Sequence, residues 1–297
     1  MQRALGDRGA RWADYNRREL HLGKTRVHLL DGDEGSPVGF ALSPKVYPVG
    51  LQLEMLYLMP GHRNSASLRT CLERFIGEGK LFSLSGQLIG ISTRTQNQVL
   101  PGLGFRFIER QNLWIDPLKV LGRDRPLPPS LRPLRKSDET KLLRTQLGAY
   151  KNHIDMAFGP GADASIYGSD YVRYLFSREA GIDFGASFVS EDRGKIAGEI
   201  LVMGEKSHRY IHELSVDPRH QGKGLGSALI RASLSVLAKR GLRRVNIGVT
   251  VLNPTASYAK YLHLGFRKER GKKGEMVGLW VNEEVRRDRQ LRILGER

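Results

Sequence analysis

The chain writes one plan twice. The stretch "LDGDEGSPVGFAL" at residues 30–42 returns as "VSEDRGKIAGEIL" at 189–201, with Gly35 and Gly39 lying 159 positions before Gly194 and Gly198. Next, "LMPGHRNSASLRTCL" parallels "VDPRHQGKGLGSALI", Pro60 lying 158 positions before Pro218. Finally "GFRFIERQNLWI" parallels "GFRKERGKKGEMVGLWV", Gly104 lying 161 positions before Gly265, and both copies close on Leu-Trp and a β-branched residue. Three matches in one order at nearly one offset specify two tandem units of the same fold, because a solenoid repeats every ~20–50 residues. A chain of 297 residues has room for two ordinary domains.

The second copy contains "RHQGKGLGSALI", residues 219–230. Upstream, "RYIHELSV" from Arg209 to Val216 is rich in β-formers and predicts a strand that Asp217-Pro218 ends. Downstream, Leu225, Leu229, Ala232, Val236 and Leu237 recur at helical spacing, with Lys239 and Arg240 suited to a last turn and Gly241 to the C-terminal cap. The glycines therefore sit in a strand-to-helix turn. The first N–H groups of a helix are unpaired and its dipole adds partial positive charge, so such a turn can receive a phosphate. Glycine keeps β-carbons out of the way, and Lys223 adds a full charge. A tight turn needing positive φ accounts for one or two of these glycines equally well. The dinucleotide spacing G-x-G-x-x-G fails at Ser227 and the P-loop pattern fails too. What is left is a pyrophosphate cradle of another kind.

Gln221-Gly222-Lys223-Gly224-Leu225-Gly226 resembles the Q/R-x-x-G-x-G/A signature of the GNAT N-acetyltransferase superfamily. The next strand, "RRVNIGVTV", leads into "NPTASYAKYLHLGF", which resembles the family's second hallmark in Asn253, Ala256, Tyr261, Gly265 and Phe266. Counting back from Gly-Phe selects Tyr261; the spacing from Asn253 is one residue longer than usual, which keeps Tyr258 as the substitute. The resemblance spans residues 131–281, from "LRPLRKSDE" onward. It implies an α/β fold of two GNAT-like units, each a twisted mixed sheet flanked by helices. It also implies direct transfer of acetyl from acetyl-CoA, as acetyl-donor co-substrate, to a primary amine. It assigns the thioester carbonyl and pantetheine to backbone groups of Leu214, Ser215 and Val216. The pyrophosphate falls to Gln221, Gly222, Lys223, Gly224, Leu225, Gly226 and Ser227, and Asn253 contacts the cofactor. As side chains, Leu214 and Val216 read as core, and Asn253 before Pro254 reads equally as a helix cap.

Such a transfer has three tasks: polarising the carbonyl, taking a proton from the ammonium, and giving one to the departing thiolate. The resemblance makes Tyr261 the acid. His212 has the natural pKa for the base. Glu213, its neighbour, faces the other side of a regular strand and serves if a bulge turns that strand. A water chain without a dedicated residue is the third possibility. The segment "MAFGPGADASIYGSDYVRYLF" occupies the family's variable acceptor region, where Asp163 and Asp170 could attract a cationic amine, or be solvated or cap helices.

The first copy lacks these parts. Arg63 stands for Gln221, but Ala66 stands for Gly224 and Leu68 for Gly226, so β-carbons obstruct the cradle. Leu100 replaces Tyr261, with Pro101 after it, and Cys71 matches Leu229 and reads as core. The sequence thus divides into a degenerate, N-terminally incomplete unit (1–120), a linker (121–130), a catalytic domain (131–281) and a C-terminal tail (282–297) that is expected to pack on the first unit. One CoA is expected per chain.

The formal charge of +17 favours anionic partners or a phosphorylated cofactor. Without a zinc-finger or RNP signature, the expectation for polyanions is weak electrostatic contact. The acceptor is expected to be a small molecule or a protein. A single cysteine excludes intrachain disulfides and cysteine-cluster metal sites, and no metal is expected. No apolar run is long enough for a membrane span and no secretory leader is apparent, so the expected location is cytoplasmic. A non-catalytic acyl-CoA- or polyanion-binding protein is the alternative to the enzyme.

Overall fold

The computed structural model describes residues 25–32, 35–44, 51–77, 81–89, 91–119, 128, 130–150, 172–173, 175–178, 180–204, 209–251, 257–269 and 275–280. In chain order the elements are β1 (Thr25–Asp31), β2 (Pro37–Pro44), β3 (Leu51–Leu58), α1 (Ser65–Gly77), β4 (Leu81–Ile89), α2 (Thr93–Val99) and β5 (Phe105–Ile115). They continue with β6 (Leu131–Pro133), α3 (Glu139–Tyr150), β7 (Phe188–Asp192), β8 (Lys195–Met203), β9 (Arg209–Val216) and α4 (Leu225–Lys239). The last are β10 (Val245–Thr250), α5 (Ser257–His263), β11 (Arg267–Lys268) and β12 (Glu275–Trp280). Among the described residues, no helix is long and apolar enough to cross a membrane. These residues form two compact units, 25–107 with 277–280, and 108–150 with 172–276.

In the second unit β6, β7, β8 and β9 pair antiparallel in turn, β9 pairs β10 in parallel, and β10 pairs β5 antiparallel. Helices cover both faces, which is why β8 reads as a nearly continuous apolar run and is buried from Ile196 to Met203. On one face Leu229, Ile230, Leu234 and Leu237 of α4 pack with Ile200, Val202, Ile211 and Ile247. On the other, Leu142 of α3 packs with Leu134, Val189, Leu201 and Met203. Each such buried side chain contributes about 1.5–3 kcal/mol. Gly241 ends α4 at φ +79°, and Leu242 N–H returns to Leu237 C=O at 3.1 Å, the cap expected of that glycine.

The first unit repeats the plan. Its strands β1, β2 and β3 pair antiparallel, β3 pairs β4 in parallel, and β12 pairs β4 antiparallel. The correspondence reaches single hydrogen bonds. Arg63 Nε donates to Leu58 C=O at 3.0 Å where Gln221 Nε2 donates to Val216 C=O at 2.9 Å. Phe105 N–H returns to Leu100 C=O at 3.0 Å, as Phe266 N–H returns to Tyr261 C=O at the same distance, with Gly104 and Gly265 both at positive φ. Leu68 and Leu100, which stand where the second copy has Gly226 and Tyr261, are buried in this unit's core, as is Cys71, the counterpart of the core residue Leu229. The proposed missing start of this copy, most of the linker and the tail fall on residues outside those described.

Candidate active site

The parallel pairing of β9 with β10 consists of Arg209↔Val245, Tyr210↔Asn246 and Ile211↔Ile247. Both strands run on, β9 to Val216 and β10 to Thr250, without a ladder between them. Beyond Ile211 the two strands are therefore not laddered to each other, and the stretch from Leu214 to Val216 can be matched by an extended partner, as buried peptide groups require. The first unit differs at this point. There the parallel ladder continues to Tyr57↔Ile89, one residue short of the end of β3. The gap is open in one copy and closed in the other.

A bulge decides which side chains face which way along this edge. Val202 pairs Ile211 and Leu201 pairs Glu213, leaving His212 as the extra residue of β9. Beyond it the alternation is shifted by one. Leu214 and Val216 join Ile211 on the α4 face, against Leu229 and Tyr261. Glu213 and Ser215 face α3, as Tyr210 does. Glu213 accepts a hydrogen bond from Tyr150 Oη at the end of α3. Ser215 Oγ donates to Glu199 Oε1 at 2.9 Å, and Gln146 Nε2 of α3 donates to the same oxygen at 2.7 Å. The strict alternation assumed for a regular strand does not hold at His212 and Glu213.

The split leads to the glycine turn. Asp217 accepts from Arg219 N–H at 2.9 Å and pairs with the Arg219 guanidinium at 2.7 Å, fixing the turn's start. Lys223 Nζ donates to Arg219 C=O at 2.9 Å. Gly222 and Gly224 sit at φ +75° and +80°, so the tight-turn requirement applies to both. A β-carbon at either would meet nothing within 4 Å, which leaves the space above the turn clear. Gly224 is the N-cap of α4 and supplies no side-chain cap, so the helix's first N–H groups await a partner. At Gly226 a β-carbon would lie at ordinary contact distance, 3.7 Å from Val216 Cγ2 and 4.0 Å from Leu214 Cδ2, so the fold itself leaves room for one there.

Tyr261 lies on α5, buried against the α4-face core and edge-on to Phe266 at 5.4 Å between ring centroids. Gly265 at φ +100° and the Phe266-to-Tyr261 backbone bond close the helix behind it. Tyr258 packs at the rim of the same core, with Lys268 Nζ 5.3 Å from its ring centre. Asn253, Ala256, Asp163 and Asp170 lie outside the described residues.

Electrostatics separates these side chains. Burial pushes the Tyr261 phenol far above the ordinary tyrosine value, and the charge of Glu213 pushes it the same way. Burial, helped by Arg110, pulls His212 down to about 4. It is therefore neutral at pH 7 and a weak base, not the group of near-neutral pKa that its type suggests. Glu199, wholly buried on β8, moves the other way, to about 8, through burial and the nearby Glu213. Sequence reasoning passed over Glu199. The available signal was one acid inside the apolar run from Ile196 to Met203.

Residues 160–266 match the model of the acetyltransferase (GNAT) family. A mycothiol acetyltransferase of Amycolatopsis mediterranei is 28% identical over 265 residues, covering 81% of this chain and 81% of its own. Another mycothiol acetyltransferase, of Clavibacter michiganensis subsp. michiganensis, is 39% identical over 74 residues, 25% of this chain and 24% of its own. Among solved structures, a GCN5-related N-acetyltransferase from Sphaerobacter thermophilus shares the fold. Its TM-score is 0.56 at 18% identity, over 90% of this chain and 84% of that one.

Proposed function

We propose that the second unit, whose residues 160–266 match the acetyltransferase (GNAT) family model, transfers acetyl from acetyl-CoA directly to a primary amine. The observation that carries the proposal is the β9–β10 split opening onto a turn with clear space above Gly222 and Gly224. The stretch of β9 beyond its ladder with β10, Leu214 to Val216, suits an extended arm bearing amides. The N–H groups that open α4, with Lys223 close by, suit the pyrophosphate at the end of that arm. Bound acetyl-CoA supplies the activated thioester.

Glu213 is the better base on this geometry. Its carboxylate attracts an ammonium, whereas His212 carries no charge at pH 7 and lies near the cation Arg110. Glu213 takes a proton from the ammonium, and the electron pair stays on nitrogen. The nitrogen attacks the thioester carbonyl, the C–S bond breaks, and the Tyr261 O–H gives its proton to the departing sulfur and regains one from the newly acylated nitrogen. A phenol held above its ordinary pKa stays protonated until that moment, as an acid must.

The names of the relatives make the acceptor of mycothiol acetyltransferases the first amine to test. Incubation of the protein with acetyl-CoA and a panel of primary amines that includes this acceptor, followed by mass spectrometry, should detect N-acetylated product in step with free CoA. Tight acetyl-CoA binding with no product from any amine would instead identify a non-catalytic acyl-CoA binder.

A further inference from the structure

Glu199 stands opposite Ser215 in the β8–β9 ladder, on the face that α3 covers. Its Oε1 accepts from Gln146 and Ser215, while Oε2 is buried with no hydrogen-bond partner among the described residues. A carboxylate stripped of water with one bare oxygen is costly, and the cost falls when the group keeps its proton. The groups that act on it from neighbouring elements point the same way. From β9 come the charge of Glu213 and the hydroxyl of Ser215, and from α3 the neutral amide of Gln146. No cation is among the groups that shift it. Tyr150 of α3 donates to Glu213 instead, and so favours negative charge there.

We propose that Glu199 is a positioning residue for acetyl transfer, keeping its own proton so that the single negative charge of this buried face rests on Glu213. The proposal rests on the reading of the second unit as an amine acetyltransferase. Two neighbouring carboxyls that hold one proton between them titrate as a pair. Glu199 is the buried member and Glu213 the half-buried one, so the charge sits where an ammonium can reach it. In each turnover an N–H bond of the ammonium breaks and an O–H bond forms on Glu213, which then releases the proton to water. Glu199 holds its proton throughout. When alkaline pH ionises Glu199, the second negative charge stabilises the substrate nitrogen as ammonium, which cannot attack. Glu199 thus sets the alkaline limit of activity, near its pKa of about 8.

The test is Glu199→Gln, which keeps the shape and removes the titration. In protein labelled with ¹³C at glutamate carboxyls, Glu213 should show a second titration step near pH 8 that the variant lacks, with Glu213→Gln assigning the signal. With acetyl-CoA and the fastest amine of the panel, kcat/KM of the native protein should fall about tenfold one unit above the inflection. Relative to its own rate at pH 6.5, the variant should show no such fall. A native Glu213 signal without the second step overturns the proposal, and so does a variant with an unchanged alkaline fall. Should Glu199→Gln fail to fold, the Glu199 signal in Glu213→Gln decides, because its pKa must drop when the neighbouring charge is removed. If no amine reacts, the acetyltransferase reading fails and takes the catalytic role with it, while the carboxyl titrations still show whether the pair holds one proton.

Discussion

Gly224→Leu should lose about 100-fold or more in acetyl-CoA affinity, near 3 kcal/mol, while the second unit stays folded. Gly224 stands at φ +80° as the N-cap of α4, and a side chain there would project into open space, not into the protein. In the proposed site, that space is where the N–H groups opening α4 would meet a phosphate. Two effects are combined in such a variant, obstruction and backbone strain. A left-handed conformation costs an ordinary residue about 1–2 kcal/mol, and asparagine tolerates it best. Gly224→Asn separates them. If obstruction governs, asparagine loses binding as leucine does; if strain alone matters, asparagine restores it and the cradle is disproved. In the first unit the equivalent position is already Ala66, exposed on α1, so Ala66→Leu should leave acetyl-CoA affinity unchanged.

The second large effect is expected at Tyr261. Phenylalanine keeps the ring that packs on Phe266 and removes only the hydroxyl, so folding and acetyl-CoA binding should survive. Turnover should fall by about 10² or more, the lower range of what a positioned general acid contributes. The loss should appear in kcat, because the proton is needed only as the sulfur departs. A kcat within about twofold of the native protein would assign Tyr261 to packing alone. Tyr258→Phe is the parallel control, and a larger loss there would transfer the role to that residue.

Much of this was legible in the sequence because it depends on spacing. The repeat offset located equivalent elements, and Gly265-Phe266 located the end of the helix that carries Tyr261, since a left-handed glycine and its following backbone bond close that helix. The glycine turn was legible for the same reason. What spacing could not reveal were properties set by pairing between strands. Nothing in "RYIHELSV" marks His212 as the bulged residue, because the bulge is defined by Leu201 and Val202 on the neighbouring strand. The pKa of His212 was misjudged from its type, since burial and Arg110 come from the fold. Glu199 needed its α3 partner Gln146, from a distant segment, before its burial could be understood. The closure of the first unit's split is likewise a fact about β4, beyond Ala66 and Leu68.

Titration calorimetry of the full chain with acetyl-CoA distinguishes a chain in which one copy of the plan binds the cofactor from one in which both do. The second unit has the open split and the clear glycine turn, whereas the first has a ladder continuing to Tyr57↔Ile89 and Leu68 in its core. A single site per chain is expected, lost in Gly224→Leu and untouched in Ala66→Leu. Two equivalent sites per chain, or one site indifferent to Gly224→Leu, would contradict it.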